Sequence, residues 1–321
     1  MSRYIAGRVL QMIPLVVGVT IITFAIMHLA PGNPLDVMMN PLITSPEMLA
    51  KAEKELGFDQ PVYIQYFRWL EQLLQGNFGY SYLSGRPVLE LLGARLPATM
   101  TLAAAALVLS YVVGLPIGVL SALKRYSMLD RILTTLSFGG ISVPEFFLCL
   151  TFVYMISLKL DLLPTSGYGT LGAEFAGVAL WLDRLPYLVL PSISLAIPSM
   201  AGIVRYTRSS MLDVLSEDYV RTARAKGLRE SIVIYKHALG NALLPVITLF
   251  GLQFPILFGG AFVVEYIFDW PGMGTLAVAS VSNREYSIVM AINLISAWLV
   301  LGGNLLADLL YAAVDPRIRL A

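Results

Sequence analysis

Six long apolar runs, each able to cross a membrane as an α-helix, dominate this sequence. A helix rises about 1.5 Å per residue, so about 20 mostly apolar residues cross the hydrocarbon core of a bilayer. Only 13% of the residues are charged, about half the share that is usual in soluble domains. The pattern predicts an all-α integral membrane protein with one transmembrane domain over residues 1–321. The predicted spans lie at about 9–29, 100–122, 132–159, 187–206, 242–264 and 287–312.

The distribution of lysine and arginine predicts how these spans are oriented. Of the 22 basic residues, fourteen lie in one alternating set of segments and eight in the other. Basic residues concentrate on the cytoplasmic side of membrane proteins, so both termini and segment 207–241 are predicted to be cytoplasmic. Arg3 and Arg8 precede the first run as in a secretory signal, but that run is too long, and we predict an uncleaved span. Segments 30–99, 160–186 and 265–286 are predicted to lie outside.

Segment 30–99 contains helix signals of its own. Ser45, followed by proline and glutamate, is typical of a helix start, and Gly57 is typical of its end. A second helix is predicted at about 62–75, where aromatic residues suit the membrane interface. A third, at 87–95, leads into the next span. We interpret this segment as a small external helical region that rests on the spans.

Several classes of function are disfavoured by what the sequence lacks. A net charge of +1 gives no basic field for nucleic acid. The single cysteine, Cys149, forms no internal disulfide and reads as a small buried hydrophobic residue. His28 and His237 have no spacing typical of a metal site. No phosphate-binding G-x4-G-K-[ST] loop and no Ser/His/Asp set occurs, so we predict a non-catalytic chain that binds no cofactor of its own.

Three carboxylates fall within the predicted spans, where ionisable residues are candidates for function. Glu145 is a candidate for facing a transport pathway. Glu265 lies near the outer end of its span, where a hydrogen bond to the external loop that follows is the favoured role. Asp308 is expected to pair with Arg317, with Arg319 or with a neighbouring span.

The cytoplasmic segment 207–241 gathers charge that the rest of the chain lacks. Nine charged residues lie between Asp213 and Lys236, and placing them at the bilayer centre would cost roughly 25 kcal/mol. Ser216 is a predicted N-cap, followed by Glu217 and Asp218 at the positive end of a helix. Arg224 and Lys226 lie at the negative end, and Gly227 is placed to end the helix in the left-handed conformation.

A helix of about ten residues is too short to be stable alone in water. Tyr219, Val220, Ala223 and Ala225 give it an apolar and small-residue surface that must pack against something. The residues leave two interpretations open. The helix is a structural connector that packs on its own chain, or it enters a groove on a cytoplasmic partner.

Seven sequence motifs, in order along the whole chain, resemble a known family. TRSSMLDVLSEDYVRTARAKGL and HALGNALLPV are similar to the cytoplasmic signature of permease subunits of type I ABC importers. The match is to the branch that carries dipeptides, oligopeptides, glutathione or nickel complexes, and to its first membrane subunit. The other five motifs are GRVLQMIPLVVGVTIITFAIMHLAPGNP, LGFDQP, GNFGYS, FDWPGMG and DLLYAAVDPRIR.

The resemblance implies the type I importer permease fold and a set of partners. These are a homologous second permease subunit, two ATP-binding subunits that hold ATP and Mg²⁺, and an extracytoplasmic solute-binding protein, all at a bacterial inner membrane. The short helix would be the coupling helix, held in a cleft of an ATPase subunit. The residues implied for the docked helix are Glu217, Asp218, Tyr219, Arg221, Thr222, Ala223, Arg224, Ala225 and Gly227.

Some positions depart from the family pattern. Asn33 stands where aspartate is usual, and Gly240 where arginine is frequent. The broader importer signature, Glu-Ala-Ala followed by glycine, reads here as Arg221, Thr222 and Ala223, with Gly227 after them. None of these departures removes the predicted coupling helix.

Short peptides are the expected cargo, with glutathione or nickel complexes as alternatives that no residue here separates. An ion-coupled secondary carrier is a rival class, but it often shows inverted repeats and paired intramembrane charges that this sequence lacks. A membrane enzyme is disfavoured because a catalytic set is missing. An assembly or scaffold protein is a further rival that no feature excludes.

Overall fold

The computed structural model describes residues 2–29, 54, 59–173 and 175–314. Within these ranges the chain is helical, and its only extended pairing is an isolated bridge between Tyr80 and Pro87. The helices are α1 (Ser2–Leu29), α2 (Val62–Leu74), α3 (Val88–Leu123), α4 (Met128–Ser142), α5 (Glu145–Phe152), α6 (Val178–Leu215), α7 (Asp218–Ala225), α8 (Glu230–Ile232), α9 (Leu239–Ile267), α10 (Met273–Ser282) and α11 (Tyr286–Val314), with π-helical turns at Val153–Lys159 and Val233–Ala238.

Four of the described helices are long and apolar enough to cross a membrane: α1, α3, α6 and α11. The pair α4 and α5, counted with its π-helical turn, passes the same test as one bent unit. The remaining predicted run, 242–264, lies within α9. The described residues therefore contain every predicted span as helix, although their boundaries differ.

The run predicted at 132–159 is not one straight helix. Val143 is extended (φ −83°, ψ 126°) and separates α4 from α5, whose axes are bent by 104°. Proline has no N–H to continue a helix and disfavours helical geometry in the residue before it, and Pro144 occupies this position. Glu145 is therefore the first residue of α5, directly after the break.

The helix predicted at 87–95 is present, but it is not a separate element. It is continuous with the next predicted span, and together they form the 36 residues of α3. The helix predicted at about 62–75 is present as α2. Some predictions fall on parts of the chain that the structure does not describe. They concern Asn33, all but residue 54 of the helix predicted from Ser45 to Gly57, the Asp308 side chain, Arg317 and Arg319.

Helix α6 lies at the centre of the compact unit formed by 99–270 and 302–314, where it packs against α4, α5 and α9. Small residues let neighbouring helices approach closely. A Cβ atom added to Gly118 would stand 2.6 Å from the Thr207 Cβ, and one added to Gly140 would stand 3.0 Å from the Ile197 Cγ2. Glycine is therefore required at 118, where α3 meets α6, whereas a side chain at 140 needs only a small shift of Ile197.

The second unit, formed by 2–98 and 271–301, contains α1 packed against α2. Phe24 contacts the rings of Tyr66 and Trp69. In the same unit, the buried Glu285 carboxylate accepts hydrogen bonds from the Ser81 hydroxyl at 2.7 Å and from the main-chain N–H groups at 82 and 83. This carboxylate fixes the turn that precedes α3.

Candidate functional site

The charged segment begins where α6 ends, farther along the chain than predicted. Helix α6 continues to Leu215, and Ser216 is its C-cap, with its hydroxyl donating to the Asp213 carbonyl at 2.7 Å. The predicted role of Ser216 as the N-cap of the next helix is therefore wrong. Glu217 occupies the N-cap position in an extended conformation, and its side chain makes no capping bond.

Helix α7, Asp218–Ala225, is the short charged helix that the sequence predicts. It ends as predicted, because Gly227 adopts a φ of +75° and donates its N–H to the Arg224 carbonyl at 2.9 Å. This left-handed conformation is one that glycine adopts without a steric penalty. A Cβ atom at Gly227 would meet nothing within 4 Å, so only the backbone conformation demands glycine.

One face of α7 is packed against its own chain. Val220 is 0% exposed and Ala223 is 5% exposed. They form a cluster with Val233 of the π-helical turn and with Val214 and Leu215 at the end of α6. Of the two interpretations left open by the sequence, packing on the chain itself accounts for Val220 and Ala223, whereas Tyr219 and Ala225 are exposed.

The opposite side of α7 is open to solvent, and we call it the outer face. Of the nine residues predicted for the docked helix, only Ala223 is buried, and it packs in the apolar cluster that holds α7 to its own chain. The outer face consists of Glu217, Asp218, Tyr219, Arg221, Thr222, Arg224, Ala225 and Gly227.

Polar contacts fix α7 to the segments around it. The Tyr219 hydroxyl accepts a hydrogen bond from Asn241 Nδ2 at 2.9 Å. Arg224 Nη2 donates to Glu230 Oε1 at 2.8 Å, and its Nε is also directed at this carboxylate. Asn241 and Glu230 were missed from the sequence, because their partners lie 22 and 6 residues away at separations that match no helical repeat.

Arg224 also sets the ionisation of its partner. Its hydrogen bond to Glu230 lowers the pKa of that carboxyl below its ordinary value, so the carboxylate stays charged at neutral pH. The pairing is complete above the ordinary pKa of a glutamate and is lost only as the pH falls through the lowered pKa.

For the permease that the sequence motifs imply, Glu230→Gln is expected to change uptake by less than about three-fold, because exposed ion pairs contribute little. Both side chains are substantially exposed, at 42% for Arg224 and 56% for Glu230. Since the carboxylate is already ionised, uptake by the unmodified protein should not vary with this pair between about pH 6 and 8. Initial uptake rates of the two proteins across that range provide the measurement, and a loss above ten-fold would contradict the expectation.

Two of the three carboxylates predicted within spans, Glu145 and Glu265, lie among the described side chains, and their settings differ. Glu145 is half-buried at the first turn of α5, directly after the break. Glu265 is fully buried, and its main-chain carbonyl accepts the Trp270 N–H at 2.8 Å. A main-chain hydrogen bond therefore connects Glu265 to the loop that follows its helix. Among the described residues, no group of three or more His, Cys, Asp or Glu side chains is arranged to hold a metal ion.

Sequence reasoning also missed a buried ion pair beside the charged segment. Asp130, in the first turn of α4, accepts two hydrogen bonds from Arg208 of α6. The two residues are 78 positions apart. From the sequence, Arg208 indicated only which side of the membrane its segment faces. The available signal was one acidic residue among the basic residues between the predicted spans 100–122 and 132–159.

Comparison with known proteins gives matches over the entire length. The family described as binding-protein-dependent transport system inner membrane component matches residues 114–320, and its N-terminal counterpart matches residues 1–103. The oligopeptide transport system permease protein AppB of Bacillus subtilis is 48% identical over 319 residues, covering 99% of each chain. The dipeptide transport system permease protein DppB of Escherichia coli K12 is 39% identical over 336 residues, again covering 99% of each.

Two further similarities complete the comparison. The glutathione transport system permease protein GsiC of Salmonella paratyphi A is 39% identical over 319 residues and 99% of each chain. Among solved structures, an inward-facing MetNI methionine ABC transporter matches with a TM-score of 0.57 and 16% identity, covering 71% of this chain and 97% of that one. At this identity the structural match shows a shared fold.

Proposed function

The chain belongs to the family of binding-protein-dependent transport system inner membrane components, and we propose that it is a permease subunit of an ATP-driven importer of short peptides. The observation that carries this proposal is 48% identity, over 99% of both chains, to an oligopeptide permease protein. A dipeptide permease protein matches over the same share of its length. In this function the chain forms half of the translocation pathway and is itself non-catalytic.

The proposed topology has six transmembrane helices with both termini in the cytoplasm of a bacterial cell, in the inner membrane. Five spans correspond to α1, α3, α6, α9 and α11, and the sixth to the bent pair α4 and α5. The excess of lysine and arginine around α7 supports its cytoplasmic location.

We assign α7 as the coupling helix that contacts an ATP-binding subunit. Its apolar residues Val220 and Ala223 are already buried in the chain's own core, so the helix is held in place before any partner binds. This arrangement leaves a rigid, charged outer face for the partner. A pre-organised contact surface loses little conformational freedom on binding, which suits an element that must transmit force.

The proposed assembly contains a second homologous permease chain, two ATP-binding subunits and an extracytoplasmic solute-binding protein. ATP and Mg²⁺ would be held by the ATP-binding subunits, because this sequence contains no phosphate-binding loop. External segments 160–186 and 265–286 and region 30–99 are proposed to receive the solute-binding protein. Within the pathway, Glu145 is a proposed cargo contact, since it lies half-buried at the break between α4 and α5.

Peptide cargo is favoured over glutathione because the oligopeptide permease protein has the higher identity, 48% against 39%. The complete importer, reconstituted in liposomes with its solute-binding protein outside, should accumulate labelled di- and oligopeptides only when ATP is supplied on the cytoplasmic side. Collapse of the proton gradient should leave that uptake unchanged. Labelled glutathione and a nickel complex, assayed in the same liposomes, provide the matched cargo controls.

Two outcomes would contradict the proposal in different ways. Uptake that follows the proton gradient and ignores ATP would assign the chain to the ion-coupled carriers. ATP-driven accumulation of glutathione or nickel without peptide would keep the importer class and replace the cargo.

A further inference from the structure

The buried carboxylate of Asp130 is held by donors from several elements. It is 3% exposed and accepts Arg208 Nε and Nη2, each at 2.8 Å, in a two-pronged ion pair. The Ser121 hydroxyl donates to it at 2.5 Å and the Tyr126 main-chain N–H at 2.9 Å. A fully bonded buried polar group specifies one arrangement of the elements that supply its partners. We call these four residues the Asp130 cluster.

The cluster joins three helices at one point. Ser121 lies in the last turn of α3, Asp130 in the first turn of α4, and Arg208 near the end of α6. Tyr126, in the turn between α3 and α4, has a φ of +63°, which residues other than glycine adopt only at a cost. The same carboxylate that binds Arg208 also binds the amide of this turn, so the start of α4 is fixed to α6.

Helix α6 connects the cluster to α7. Arg208 precedes Leu215 by seven residues, about 10 Å along the helix axis, and Leu215 packs against Val220 of α7. The prolines of α6 end at Pro198, so the part that follows has an unbroken ladder of hydrogen bonds. Prolines are the usual sites of helix kinks, and this last part of α6 is accordingly expected to move as a rod.

Helix α4 connects the cluster to the break. From Asp130 the helix continues to its end at Ser142, a distance of about 18 Å. There the chain bends by 104° before Glu145. A groove of about 240 Å³ opens between α4 and α6 and is lined in part by Phe138 and Arg205. The two helices also approach closely at Gly140, where an added Cβ atom would stand 3.0 Å from the Ile197 Cγ2, so the ion pair and this contact together hold α4 to α6.

We propose that Asp130 and Arg208 are positioning residues that transmit movement of the coupling helix to the break between α4 and α5. When an ATP-binding subunit displaces α7, the end of α6 moves with it, and the two-pronged pair carries α4 along. The break beside Glu145 then changes angle. This inference rests on the proposed function, since it assigns a route for the coupling that an importer requires.

The test is the number of peptides taken up per ATP hydrolysed by the complete reconstituted importer. Asp130→Asn keeps the size of the side chain and removes its charge, and should lower this ratio at least ten-fold while the ATP-binding subunits still copurify. Asp213→Asn is the matched control, because Asp213 is an exposed carboxylate on α6 outside the cluster. That variant should keep the ratio of the unmodified protein.

Milder variants separate transmission from a purely structural role. Arg208→Lys keeps the charge but loses the planar fork, and Ser121→Ala removes one donor; both should lower the ratio about three-fold in complexes that assemble. Reduced yield with an unchanged ratio in these variants would assign the cluster to folding alone and overturn the inference. Absence of ATP-driven uptake by the unmodified importer would instead overturn the proposed function.

Discussion

Replacing Val220 with aspartate should reduce uptake at least about ten-fold while the membrane-spanning helices remain inserted. The substitution disrupts only the apolar cluster that holds the coupling helix against its own chain. Val220 is 0% exposed and packs with Ala223 and Val233. An unpaired carboxylate buried there would cost on the order of 4 kcal/mol. The eight residues of α7 are too few to remain helical once they leave this support.

The control for this substitution lies in the same segment. Ser231 is exposed, so Ser231→Asp adds the same charge without burying it and should leave uptake within about two-fold. Initial rates of ATP-driven peptide uptake, normalised to the amount of protein in the membrane, provide the measurement. Near-normal uptake by the Val220 variant would mean that α7 does not depend on its apolar cluster.

A milder substitution at the same position tests the size of the effect. Val220→Ala removes two methyl groups without adding charge, and the cost expected for such a loss is about 1–2 kcal/mol. We therefore expect uptake between that of the unmodified protein and that of the aspartate variant. This order follows if burial, and not the identity of the side chain in a partner's cleft, explains why Val220 is apolar.

The helices of this protein were predictable because membrane spans need only length and apolar composition. The residues at which these helices end were harder to predict. The predicted span ends at residue 206 because Arg205 and Arg208 interrupt the apolar run, yet α6 continues to Leu215. Charged residues end an apolar run but do not end a helix. Because α6 has these extra turns, Ser216 is the C-cap of α6 and not the predicted N-cap of α7.

The break between α4 and α5 was hidden for a related reason. Apolar residues continue on both sides of Pro144, so composition alone describes one span across a bend of 104°. Prolines within α6 cause no such break, because membrane helices often accommodate them. A proline marks a permitted bend, and the packing of the neighbouring helices decides whether the bend occurs.

The polar contacts of the site were beyond prediction from sequence spacing. Asp130 and Arg208 are 78 residues apart, and Ser81 and Glu285 are 204 apart. Only the fold brings such pairs together. By contrast, the ending of α7 at Gly227 was predictable, because a left-handed residue after a helix is a local requirement of the backbone.

Substitutions at Gly227 should separate backbone strain from the fit of a partner. Gly227→Val places a β-branched residue at a φ of +75°, a conformation that costs ordinary residues about 1–2 kcal/mol and β-branched ones more. We expect this variant to lose uptake about ten-fold or more while it inserts normally and its complex still hydrolyses ATP. Uptake and ATP hydrolysis by the same reconstituted complex provide the measurement.

Alanine and asparagine at this position distinguish the two causes. Asparagine tolerates the left-handed conformation better than alanine does, but it is larger, and nothing within the chain lies within 4 Å of a new Cβ atom. If strain governs, uptake should decrease in the order asparagine, alanine, valine. If the cleft of the ATP-binding subunit closes tightly over Gly227, asparagine should be worse than alanine. Equal uptake by all three would show that the end of α7 takes no part in coupling, because both the strain and the added volume would then be without effect.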